Sequence, residues 1–130
     1  MFIEFNPNPE RKLIDDCVVR AICKLTGKDW ERVYVELFAE GLHQHDWPRK
    51  NYVWGSYLLR HGYIQSLMPD TCPNCFTVKD FCRLFPYGTY LLAIGDHVVG
   101  VIDGDYYDTW DSGDEIPVYY WKRESKGEKP

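Results

Sequence analysis

The chain has 130 residues, enough for one domain built on one core. Its net charge of −5 excludes the basic stripe of a nucleic-acid coat, which must neutralise phosphates. No apolar run approaches the roughly 20 residues needed to span a bilayer.

The first segment, FIEFNPNPER, alternates apolar residues and then turns polar at two Asn-Pro pairs. The opening MFIEFNPNPERK lacks the basic-then-apolar plan of a signal peptide. The five cysteines are therefore read as reduced thiols of a cytoplasmic protein. A helix follows, capped by Asp15 or Asp16, with Val18, Ile22 and Leu25 at helical spacing and Gly27 placed to end it. A second helix starts at Asp29, with Trp30, Val33, Leu37 and Phe38 as its inner stripe and Gly41 as its stop. HQHDWPRK reads as a loop whose His43 and His45 are solvated. NYVWGSYLLRHG reads as a third helix stopped by Gly62.

YIQSLM is a short strand, MPDTCPNCF a loop, and Thr77 caps a short helix through Phe85, broken by Pro86-Tyr87-Gly88. TYLLAI, HVVGVI and DYYDTW are rich in β-branched and aromatic residues, and VYYW, residues 118–121, is the last strand. Helices first and an antiparallel sheet second make an α+β domain over residues 1–121. Residues 122–130 read as a charged, disordered tail.

Asp103-Gly104 is a strong two-residue hairpin signal. With that loop Ile102 faces Asp105, Val99 faces Asp108 and His97 faces Trp110. His97, Val99, Tyr106, Asp108 and Trp110 then share one sheet face. Asp108 is the diagonal neighbour of His97, so the pattern offers an oriented His–Asp pair. Such a pair activates a nucleophile. Cys17 stands in the first turn of the first helix, where the dipole and unpaired N–H groups favour a thiolate and bind an oxyanion. Asp15 and Asp16 oppose that unless they turn away.

A Cys opening a helix, a later His opening a strand and an Asp on the next strand: this order resembles the papain-like cysteine peptidases. GDHVV is similar to their histidine strand. YYDTWDSG is similar to their Asn-Ser-Trp segment, with Asp108 in the Asn place and Trp110 as the shielding aromatic. DCVVRAI, GTYLLA, HVVGVIDG and YDTWDSG resemble small papain-like proteins of bacteriophages and prophages, over roughly residues 10–121.

The resemblance implies a helical layer whose nucleophile helix packs on a C-terminal antiparallel sheet. It implies Cys17 as nucleophile, His97 as base and Asp108 as orienter, a peptide or protein substrate, and a place in the bacterial host cytoplasm. Papain-like enzymes carry a Gln before the Cys as a second oxyanion donor. Here the first Gln is Gln44, so Asn6 and Asn8 are the candidates for that role.

The missing Gln and the short chain motivate an alternative, a papain-like binding module acting on a host protein. A third reading is a zinc-dependent interaction protein built on Cys72 and Cys75 of CPNC, which needs further ligands such as Cys82 or His61. No other cofactor is expected.

Overall fold

The computed structural model describes residues 1–68 and 75–124. In chain order the elements are β1 (Phe2–Glu4), α1 (Cys17–Thr26), α2 (Trp30–Gln44), α3 (Asn51–Arg60) and β2 (Tyr63–Leu67). They continue with α4 (Val78–Leu84), β3 (Thr89–Ile94), β4 (His97–Ile102), β5 (Asp105–Asp108) and β6 (Tyr119–Arg123). The strands form one six-stranded sheet in the order β1-β5-β4-β3-β6-β2. The domain is thus α+β, with four helices among the described residues. No helix among these residues is long and apolar enough to cross a membrane.

The sheet is mixed rather than wholly antiparallel and C-terminal. β1 pairs parallel with β5, from Phe2↔Tyr106 to Glu4↔Asp108, whereas the remaining neighbours run antiparallel. A strand of three residues is too short to declare itself by alternation, and a parallel partner a hundred residues away leaves no local signal. β1 matters for the site because the Phe5 N–H donates to the Asp108 carbonyl at 2.8 Å, pinning that backbone.

β3 and β4 are apolar on both faces because both faces are covered. One face carries Leu91, Ala93 and Val98, packed with Ile22 and Leu25 of α1, Leu37 of α2 and Trp54 and Leu58 of α3. The other carries Leu92, Val99, Val101 and Tyr106, packed with Val78 and Phe81 of α4. Strand alternation alone splits the sequence HVVGVI between the two cores.

Helix ends follow local chemistry with two exceptions, the stop expected at Gly41 and the aspartate cap expected at the start of α1. Gly27 ends α1 in the left-handed conformation. Gly41, expected to stop α2, lies inside it, and the helix runs on to Gln44. Its lack of a side chain serves packing instead: a Cβ there would meet the Asp46 carbonyl at 2.6 Å. Thr77 caps α4 in a capping box with Asp80, the two side chains and backbone N–H groups bonding reciprocally at 3.2 and 3.0 Å. Thr77→Ala is expected to lower stability by about 1 kcal/mol, read from the midpoint of urea unfolding; an unchanged midpoint would show that α4 is held by packing alone.

At the far end, Lys122 and Arg123 belong to β6, paired with Ile64 and Tyr63, and not to a tail. A charged pair continues a strand when its partner strand is there to bond, so composition alone misplaced the boundary. The rest of the expected tail from residue 125, and the loop residues 69–74 with Cys72, lie outside the described residues.

Candidate active site

The two-residue turn at Asp103-Gly104 holds. Both residues have positive φ, 50° and 83°, as a type I′ hairpin requires, and the register is Ile102↔Asp105 and Gly100↔Tyr107. That register carries His97 and Asp108 to the same end of the hairpin. There the His97 Nε2 lies 2.6 Å from the Asp108 Oδ2. β5 stops at Asp108, where the carboxylate turns back to accept the Thr109 N–H at 2.8 Å.

Asp108 is 1% exposed and satisfied four ways. Besides His97 and Thr109 N–H, it accepts from the Ser112 hydroxyl at 2.8 Å and from the Arg20 guanidinium at 3.1 Å. Burial pushes its carboxyl upward. The His97 hydrogen bond and charge, with Ser112 and Thr109, outweigh that and hold it below the usual carboxylate range.

His97 is the converse case. Burial disfavours its charged form, but the Asp108 hydrogen bond and then Cys17, acting through hydrogen bonding and charge, raise it to about 9. The imidazolium is therefore its resting form at neutral pH. With Nε2 given to Asp108, the other ring nitrogen is the one left for Cys17. The Trp110 ring lies over His97 at 5.0 Å between centroids, tilted 38°, while remaining 45% exposed itself.

Cys17 is the first residue of α1 and is 8% exposed. The first helical hydrogen bond runs from the Arg20 N–H to the Asp16 carbonyl at 2.9 Å. Asp16 stands at the N-cap position but gives no side-chain cap. Its carboxylate turns away instead, to the Arg20 guanidinium and to the Trp30 indole N–H at 2.9 Å. Asp15 turns the other way and pairs with Arg49 at 2.5 Å. Both carboxylates that would oppose a thiolate are thus engaged by cations, and no side chain caps the helix start where an oxyanion would bind.

Cys17 and His97 both open on a cavity of about 590 Å³. Its wall includes Trp30, Tyr34 and Phe38, in ring contact one helical turn apart along α2 at 5.0 and 4.6 Å between centroids, and the buried Trp54 of α3. Trp47 is 67% exposed and lies outside this lining.

Asn6 and Asn8 are spent elsewhere. The Asn6 amide donates to the Lys12 carbonyl at 3.2 Å and accepts from the Asn8 N–H at 3.1 Å, while Asn8 accepts from the Glu10 N–H at 2.9 Å. Neither lines the cavity. These are the turn bonds that short amide side chains favour after Asn-Pro. The groups sequence reading passed over are Arg20 and Ser112. Arg20 had a signal, since it follows Asp16 by four residues on one helix. Ser112 had none.

The remaining described thiols lie away from the cavity. Cys23 is pushed up to about 12 by burial, with the Asp29 and Asp16 charges adding to it, and Cys82 up to about 11 by burial. Cys82 belongs to the core beneath α4, as its helical spacing suggests. Cys75 is half-buried, and its expected zinc partner Cys72 lies outside the described residues. Among the described residues no group of three or more His, Cys, Asp or Glu side chains is arranged to hold a metal ion.

No protein-family model matches the chain, and no curated protein or solved structure matches it.

Proposed function

We propose that the protein is a thiol-dependent hydrolase of papain-like architecture, cleaving a peptide or isopeptide bond. The observation that carries this reading is that Cys17 and His97, from two separate elements, open on one cavity, with the buried Asp108 of a third element bonded to His97 at 2.6 Å.

The Cys17 thiolate, paired with the His97 imidazolium, attacks the substrate carbonyl carbon. The carbonyl oxygen takes the negative charge and is received by the Cys17 backbone N–H at the start of α1. His97 then gives its proton to the leaving amine, the C–N bond breaks, and an acyl-thioester remains on Cys17. Water attacks that thioester while His97 takes its proton. The C–S bond breaks, and the acid is released with thiolate and imidazolium restored. Asp108 stays ionised throughout and keeps the ring turned toward Cys17.

Alkylation by iodoacetamide at pH 7, followed by peptide mapping, tests the pair directly. Cys17 is expected to react at least about tenfold faster than Cys23 or Cys82, and His97→Ala should remove the difference. Equal rates for Cys17 and Cys23, untouched by His97→Ala, sink the reading. A pool of quenched peptides then reads turnover, which Cys17→Ala should abolish.

A further inference from the structure

We infer that Arg20 is a positioning residue of this site: its guanidinium ties the helix bearing Cys17 to the carboxylate that orients His97. The inference rests on the hydrolase reading and extends it to a residue outside the triad.

Arg20 lies three residues beyond Cys17 on α1, and its side chain is 7% exposed. One arm, Nη2, reaches the Asp108 Oδ1 at 3.1 Å. The other, Nη1, holds the Asp16 Oδ1. Asp108 is thereby divided, with Oδ1 on Arg20 and Oδ2 on His97. Opposite charges alternate along an open circuit, from the Asp16 carboxylate through the Arg20 guanidinium and the Asp108 carboxylate to the His97 imidazolium. Cys17 is the residue after Asp16, so the circuit begins beside the nucleophile.

Two consequences follow from the geometry. First, nucleophile and base sit on different elements, α1 and β4. Among the described hydrogen bonds, the one from Arg20 to Asp108 joins α1 to β5, the strand that aims the base. Second, Arg20 balances Asp16, the carboxylate nearest in sequence to the nucleophile. A lysine offers one point charge and cannot fork between two carboxylates in this way.

The test uses two variants that leave the net charge of the circuit unchanged. Arg20→Lys keeps the cation and loses the fork. The double variant Asp16→Asn/Arg20→Met removes one charge of each sign, so no buried carboxylate is stranded. Iodoacetamide alkylation of Cys17 is followed across pH, well below each variant's melting temperature. Both variants are expected to lose about tenfold in rate at pH 7, with the rise in rate displaced to higher pH.

A residue that only stabilises the fold would lower the melting temperature and leave the rate of the folded protein alone. A wild-type rate and pH profile in either folded variant overturns the inference. If the double variant does not fold, Arg20→Lys decides by itself. The same digest reports wild-type Cys17 against Cys23. Equal rates there mean that the hydrolase reading has failed, whereas a fast wild type with equally fast variants means that only the assignment of Arg20 has failed.

Discussion

Asp108→Ala is expected to be the most damaging single change in the molecule. It strands the His97 ring, one arm of the buried Arg20, the Ser112 hydroxyl and the Thr109 N–H at once. Removing one partner of a buried ion pair costs about 3–5 kcal/mol, which for a domain of this size lowers the melting temperature by roughly 10–20 °C. Asp108→Asn is the sharper probe. A carboxylate offers two oxygens to these four donors, and a carboxamide offers one oxygen and brings an NH₂ group that would face a donor. The four donors therefore need a carboxylate at position 108. The amide variant is expected to fold with a lower melting temperature and with Cys17 alkylated about tenfold more slowly. Calorimetry and alkylation together check both; melting of Asp108→Ala at the wild-type temperature would refute the account of the network.

The second large effect is a pH dependence centred on His97. Its folded value is raised to about 9 from an ordinary value near 6.5. A group raised on folding contributes stability that is fully present below its unfolded value and is lost as pH rises through the folded one. The expected loss between pH 6.5 and 9 is on the order of 2–3 kcal/mol. His97→Gln should remove that slope and leave a flatter profile across the same window. The direct measurement is the imidazole titration by NMR, with a midpoint near 9. A midpoint near 6.5 would show that Asp108 and Cys17 do not hold the imidazolium. The same proton is the one delivered to the leaving amine, so turnover should also decline as pH passes that midpoint.

Much of this was legible in the sequence, for a physical reason. The His97–Asp108 pairing depends on one turn, and Asp103-Gly104 fixes a turn type whose parity determines which side chains meet. Cys17 was legible because helix starts are marked by the residues that flank them. What escaped were features set by distant or backbone partners. β1 finds a parallel neighbour across the chain, and three residues of FIE cannot announce that. Gly41 reads as a stop, yet it makes room for the Asp46 carbonyl. Asn6 and Asn8 have the right chemistry for an oxyanion but are bound by their own turn. Arg20 sits in an apolar stretch, DCVVRAI, where only its spacing from Asp16 hinted that it is buried by design.

The hairpin at Asp103-Gly104 has one more consequence, for the order in which the chain can assemble its site. His97 and Asp108 are separated by 11 residues, whereas Arg20 and Asp108 are separated by 88. That eightfold difference in loop length adds about 1.8 kcal/mol of closure entropy. Base and orienter are thus joined by one of the cheapest contacts in the domain, of the kind that hairpins form within microseconds. The nucleophile helix is joined by one of the costliest, repaid only once the core beneath α1 closes. Reactivity at Cys17 would in that sense be a signature of the assembled fold, because the helix that bears the thiol is tied to the orienter of its base only after the 88-residue loop has shut.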